Sequence, residues 1–217
     1  MGEKYNHNNK TSAILLKMFN IKYIFALWMG FSVTFAQWSD DPGNPQMLGS
    51  GIQPQVQATS DGGVYIAWLT NSNYHVYLQR LDSEGITQFT DGGMLISDNN
   101  NASWIAVYHL NLAVDSEDNA IITLVDQRTG PWEVYAYKIA IDGTMLWGAD
   151  GLTLSASGID NISPRLAVLP DNSVVVTWSK NYSSIMCQRI SPNGDLLWGD
   201  GVAINNLIAD LLSPQSI

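Results

Sequence analysis

Cysteine, histidine and positive charge are scarce in this chain, and each scarcity removes a class of answers. There is one cysteine, Cys187, so no disulfide can form within the chain and a small disulfide-stapled scaffold is excluded. Cys187 lies in the strand-like run IMCQRI, where a small core residue is expected rather than a nucleophile. Of three histidines, only His75 and His109 lie beyond the N-terminal apolar leader, and they fall in different copies of a repeat. Neither a Ser-His-Asp triad nor a zinc set is supported by them. Ten Lys and Arg face twenty Asp and Glu, which argues against nucleic acid and anionic membrane surfaces as partners, since both need a basic face. No uncharged apolar run reaches the roughly 20 residues of a membrane span.

What is present begins with a leader. Lys4, Lys10, Lys17 and Lys22 precede YIFALWMGFSVTFA, and Thr34 and Ala36 put small residues at the two positions a signal peptidase reads. Residues 1–36 are therefore expected to be a signal peptide cut before Gln37, with secretion or display on the outer cell surface and no membrane insertion of the remainder. Met18 is an alternative start, because MFNIKYIFALWMGFSVTFA is a compact signal by itself. Cleavage removes those four lysines and Glu3, leaving six basic against nineteen acidic side chains, a net charge of −13.

Eight Trp and nine Tyr against five Phe favour half-buried strand surfaces, where amphipathic rings fit. The chain also repeats itself. Three copies start at Gln53, His109 and Ser163. Pro54, Leu110 and Pro164 occupy the same place in each, Pro214 opens a fourth, and Gly85, Gly143 and Gly194 mark the same turn. The expected divisions are 37–52, an N-terminal segment with an outer strand; 53–108, 109–162 and 163–212, three repeats; and 213–217, the start of a truncated fourth. NPQMLGSG at 44–51 resembles TDGGMLISD at 90–98, which suggests the outer strand.

Each copy reads as four short strands separated by turn chemistry. In the third copy they are RLAVL, SVVVTW, SIMCQRI and DLLW through GVAI. The first turns, SDGG, SEDN and PDNS, carry residues that tolerate positive φ, as tight hairpins demand. The fold class predicted is all-β, made of four-stranded antiparallel blades of a β-propeller, with three blades present in an incomplete ring. Blades stack face on face and need the same packing residues each time. Trp147 and Trp198 follow the turn glycine by four positions, as Phe89 does in the first copy. Trp68 and Trp178 close the second strand, where the second copy has Leu124. These five aromatics are assigned to blade packing in preference to carbohydrate stacking. Three blades fall short of the roughly four to eight of closed rings, so the chain is expected to be the N-terminal part of a longer protein.

The segment VDQRTGPWEVYAYKIAIDGTMLWGADG resembles the repeat of secreted bacterial β-propeller proteins whose blades read Trp-x-Asp-x-Arg, Asp-Ile-Tyr-Ala-Gln, Asp-x-Gly and Trp-Gly-x-x-Gly. Asp126, Arg128, Tyr135, Ala136, Asp142, Gly143, Trp147, Gly148 and Gly151 match. The first copy has Asn71 and Asn73 where Asp and Arg stand in the pattern, the third has Ser179 and Asn181, and Glu133 replaces the aspartate. The resemblance implies an extracellular propeller, often carried with a C-terminal sorting domain.

In such an architecture the second-to-third and fourth-to-first loops share one face. They place Asn71, Asn73 and Tyr74, then Arg128, Trp132 and Glu133, then Lys180, Asn181 and Tyr182 together, joined by Asn99, Asn100, Trp104, Asp160 and Asn161. Amides beside rings suit sugars or peptides. The candidate ligand-binding set is Trp132, Arg128, Glu133, Tyr74, Asn73, Tyr182 and Lys180, with Trp132 foremost. Against it stands a solvated loop rim with Asp126 and Arg128 as a structural ion pair. No cofactor is implied. Calcium is raised by DSEDN at 115–119 and by Asp91, Asp150 and Asp200, but turn chemistry accounts for these aspartates. No catalytic constellation stands out. The functional expectation is an extracellular binding or adhesion module for a glycan or protein. The alternatives are the N-terminal part of a secreted carbohydrate-active enzyme with its catalytic residues beyond residue 217, and a structural spacer.

Overall fold

The computed structural model of the protein describes residue 43 and residues 45–99, 110–155 and 158–204. The leader and its cleavage site, Asn100, Trp104, His109 and the fourth repeat start lie outside the described residues. Twelve strands and no helix are formed among those described: β1 (Ile52–Ala58), β2 (Val64–Leu69), β3 (Val76–Leu81), β4 (Met94–Ser97), β5 (Asn111–Val114), β6 (Ala120–Asp126), β7 (Glu133–Ile139), β8 (Leu152–Thr153), β9 (Asn161–Val168), β10 (Val174–Lys180), β11 (Ser184–Ile190) and β12 (Val202–Ile204). They make three antiparallel four-stranded sheets, β1 to β4, β5 to β8 and β9 to β12, each in chain order. The all-β class and the four-stranded meander expected of each copy are what the chain adopts.

The hairpins between the first and second strands turn as their sequences require. Gly62, Asp118 and Asn172, the third residue of each turn, have φ of 86°, 60° and 60°, the left-handed region that Gly, Asp and Asn enter most readily. Pro54 and Pro164 act together with the residue before them. Gln53 and Ser163 have φ of 51° and 54°, and the pairing of β1 and of β9 shifts register beside them. A bulge is where a proline, which has no N–H to give the ladder, can sit in a strand.

One expected strand is corrected. DLLW is not a strand: Leu196 makes only an isolated bridge to Ile190, residues 197–200 turn, and the fourth strand is the three-residue β12. The same single bridge recurs at Thr87 and Met145, so the apolar run after each turn glycine crosses the sheet end instead of running along it. Of the segment 37–52, expected to carry an outer strand, the described residues 45–51 form no strand. The outer edges of β3, β7 and β11 are already paired by β4, β8 and β12. Residues 45–51 instead cross the ring of Trp68, so closely that a Cβ on Gly49 would stand 2.4 Å from it.

The sheets pack in series, β1 on β5 and β5 on β9, and the same contacts recur at both junctions. Ser60 donates its backbone N–H and hydroxyl to the Asp118 carboxylate at 2.7 and 2.5 Å. Ser116 donates the same two groups to the Asn172 side-chain oxygen at 3.1 and 2.8 Å. Phe89 lies against Gly143, and Trp147 lies against Gly194 so closely that a Cβ there would meet its ring at 2.9 Å. Trp147 Nε1 and Lys138 Nζ both donate to the Pro192 carbonyl, at 3.2 and 3.4 Å. An aromatic ring of one sheet thus seats on the glycine turn of the next. Each sheet has a leading face, toward the sheet before it, and a trailing face, toward the sheet after it.

Candidate functional site

The register of the hairpins decides which residues are equivalent at the loop-bearing end. Val64, Ala120 and Val174 pair with Leu81, Ile139 and Ile190. Counting from there, Thr70 and Lys180 stand where the second copy has Asp126. Asn71 and Ser179, aligned with that aspartate by sequence, are one residue out of register with it. The Asp-x-Arg feature therefore belongs to the second copy alone among the three described.

In that copy it is a closed unit. Arg128 Nε reaches both Asp126 carboxylate oxygens at 3.0 and 3.1 Å, and Nη2 reaches Oδ2 at 2.6 Å. Nη2 also donates to the Tyr137 hydroxyl at 2.8 Å and Nη1 to the Asp150 carbonyl at 2.8 Å. The guanidinium carbon lies 3.6 Å above the Tyr135 ring. Burial works against the Arg128 charge, but Asp126 and Tyr137 outweigh it and hold its pKa above the usual value. Glu133, directly across the ladder from Asp126, is buried, and its Oε2 accepts from the Tyr135 hydroxyl at 2.8 Å. Burial first, and then this bond, push the Tyr135 phenol up. Glu133 Oε1 is buried without a hydrogen-bond partner. Asp126 and Arg128 thus form the ion pair that the sequence suggested, with side chains 0% and 17% exposed.

The foremost candidate also sits differently from its expectation. Trp132 is 7% exposed, so it walls the loop end and offers no open ring. Its N–H donates to Asp160 Oδ1 at 3.2 Å, and its carbonyl accepts from Asn161 at 2.8 Å. Asp160 is the hub of this end. Its carbonyl accepts from the Asn181 N–H at 2.7 Å and its Oδ2 from the Tyr182 hydroxyl at 3.4 Å. Beneath it, buried Asn161 accepts from Trp178 Nε1 at 3.0 Å. The bonds of Asp160 and Asn161 to Asn181, Tyr182 and Trp178 join the second copy to the third, those to Trp132 stay within the second, and together they gather Trp132, Asp160, Asn161, Asn181 and Tyr182. Lys180 closes β10 and is half-buried. Asn71 and Asn73 are exposed, and Tyr74, half-buried with φ of 55°, sits in a hairpin where Thr70 Oγ1 accepts from the His75 N–H at 3.0 Å.

Asn181 and Tyr182 are consecutive residues with φ of 50° and 55°, and Tyr182 is 40% exposed. Left-handed backbone is tolerated by Asn but unfavourable for a bulky ring. Such positions persist where the surroundings hold them, and they gather at binding sites.

The sequence did not point to the cleft beside Trp68. Trp68 stacks on Tyr77, with ring centroids 6.0 Å apart and 19° between planes. A cleft of about 290 Å³ next to them is lined by Gly49, Ser50, Thr70, Asp91, Gly92 and Gly93 among others. Gly93 is required there, since a Cβ would meet the Trp68 ring at 2.5 Å. The closeness of glycines to that tryptophan was the available signal. Also missed was a cation near the end of each third strand, held by a turn carboxylate: Arg80 with Asp61, Lys138 with Asp115 at 2.9 Å, and Arg189 with Asp171 at 2.6 Å.

Of the aspartates that raised calcium, Asp115 and Asp118 are engaged by the protein. Asp115 Oδ1 accepts from the N–H groups of Glu117 and Asn119 at 3.0 and 2.9 Å, and Asp118 is taken by Ser60. Among the described residues no three His, Cys, Asp or Glu side chains gather where a metal ion could be held. Comparison with known proteins returns no matching family and no matching curated protein.

Proposed function

We propose that this chain is an exported β-propeller module that binds a glycan or an extended peptide at the end carrying the second-to-third strand loops. Each sheet is one blade, and the rings seated on glycine turns are the blade contacts. One observation carries the binding reading: Asn181 and Tyr182 are held in left-handed conformation, with the tyrosine presented to solvent and bridged through Asp160 to the neighbouring sheet. A tyrosine has an apolar face for stacking and a hydroxyl for hydrogen bonding, at a small cost in side-chain entropy. Asp160, Asn181 and Lys180 surround it with acceptors and donors, as a ligand rich in hydroxyl or amide groups needs. Export rests on the charged-then-apolar leader ending in TFAQ, and mass spectrometry of secreted protein should find Gln37 at the N-terminus.

Binding is tested on glycan and peptide arrays, followed by titration of the best probe. Tyr182→Ala should weaken binding about tenfold or more, as loss of a central aromatic contact does. Arg189→Lys, beside the first-to-second strand turn at the other end of the third sheet, should leave it unchanged. Turnover of the probe, or binding indifferent to Tyr182→Ala, overturns the reading.

A further inference from the structure

We infer that the ligand of the surface around Tyr182 is a carboxylate-bearing glycan, held by an ion pair with Lys180. The inference rests on the binding reading above and names the ligand class for that same surface.

Lys180 stands out by what it lacks. The described residues include six basic side chains, Arg80, Arg128, Lys138, Arg165, Lys180 and Arg189. Four of them are ion-paired, with Asp61, Asp126, Asp115 and Asp171, and Arg165 donates to the Pro164 carbonyl at 2.8 Å. Among the described residues the Lys180 ammonium has neither an ion pair nor a hydrogen bond. In a chain with twenty acidic side chains, that is a matter of placement.

Lys180 closes β10, half-buried, and pairs with Asn161 and Ser184 across the ladders. It is in phase with buried Trp178, on the face toward the second sheet. The second sheet looks back with the face that carries Val125, Val134 and Lys138, the last of which reaches Pro192. Asp126 and Glu133 alternate with those valines and so lie on the other face, where Arg128 and the Tyr135 hydroxyl engage them. Asp160, the acid at the rim, accepts from the Trp132 N–H at 3.2 Å and from the Tyr182 hydroxyl at 3.4 Å. A half-buried ammonium without a counter-charge carries a desolvation cost that a bound carboxylate offsets through charge-assisted hydrogen bonds. The cation is particular to the third copy, since the register puts Thr70 and Asp126 at this position in the other two.

Asn181 and Tyr182 follow Lys180 directly and are exposed. A carboxylate on Lys180 therefore leaves the rest of the ligand against an amide and a ring, which suit the hydroxyls and the apolar face of a sugar. An extended peptide gains most by adding to an open strand edge, and β10 is paired on both sides as far as Lys180. The chain's net charge of −10 repels anions at long range, where salt screens it, whereas contact with a half-buried lysine is screened much less.

The test is an array of galacturonate, glucuronate and mannuronate oligomers, each beside its carboxyl-reduced counterpart, followed by titration of the best probe. The carboxylated form should bind about tenfold or more tighter than the reduced one, as a hydrogen bond to a charged group provides. Lys180→Met, which keeps the apolar stem, should remove that preference and leave binding of the reduced form unchanged. Lys180→Arg should keep the preference. Equal binding of the two forms, a preference that survives Lys180→Met, or binding of none of the acidic oligomers overturns the inference. Tyr182→Ala separates it from the reading beneath it. A neutral glycan or a peptide whose binding needs Tyr182 removes the acidic ligand and leaves the binding surface standing, whereas the lack of any probe that depends on Tyr182 removes both.

Discussion

The second sheet and the third carry nearly the same residues at their trailing positions and present them to different surroundings. Lys138 and Trp147 are buried and share the Pro192 carbonyl, while Arg189 and Trp198 reach solvent. Nothing local explains the difference: the turns are alike, the strands pair alike, and the ring follows its glycine by the same interval. The neighbour explains it. In a stacked repeat the sheet-to-sheet junction carries the stability, so equivalent residues should differ in energy in proportion to what covers them.

The largest expected effect follows directly. Trp147→Ala should cost about 3–5 kcal/mol in denaturant unfolding, as large-to-small changes in a core do. Trp198→Ala in dilute solution should cost under about 0.5 kcal/mol, the usual range for surface changes. Equal costs would break the comparison. The two turn junctions sharpen it at smaller scale. Asp118→Gly keeps the left-handed turn and removes a charged acceptor of two hydrogen bonds, costing about 1.5–3 kcal/mol. Asn172→Gly removes a neutral one and should cost about 0.5–1.5 kcal/mol. Thermal midpoints of the two variants should rank in that order.

The smallest effect is confined to acid. Burial alone would raise the Asp115 pKa, but bonds from Asn119 and Lys138 more than offset it and hold it below the ordinary value. A depressed folded-state pKa adds stability above the unfolded value near 3.9, and that stability is lost as pH falls through the folded value. Asp115→Asn should therefore be less stable than the parent at pH 7, and the gap should shrink as pH falls from about 5 to about 2. A gap that is constant with pH would detach Asp115 from the Lys138 pair.

Turn chemistry was legible because it is local. SDGG, SEDN and PDNS announce hairpins by the residues that tolerate positive φ, and Gly62, Asp118 and Asn172 adopt it. The repeat was legible because the junctions need the same ring and glycine each time. What failed to show depends on distant partners. Trp132 follows Gly130 and Pro131 as an exposed loop residue would, yet it is covered through Asp160, a residue of the following connection. NPQMLGSG resembles a fourth strand, but its described part, residues 45–51, forms none and crosses the Trp68 ring. DLLW has strand-forming residues but stands where the chain must cross to Trp198 and turn. Of the candidate site, Tyr182 was visible as a loop aromatic, whereas its strained backbone and its link to Asp160 were not.

Hydrogen exchange measured strand by strand tests most directly the claim that each sheet is covered by its neighbour. Amides of β6 and β7, in the sheet packed between the other two, should be strongly protected. Those of β2 and β3 and of β10 and β11 should exchange faster. Protection that is uniform across the three sheets would contradict the account.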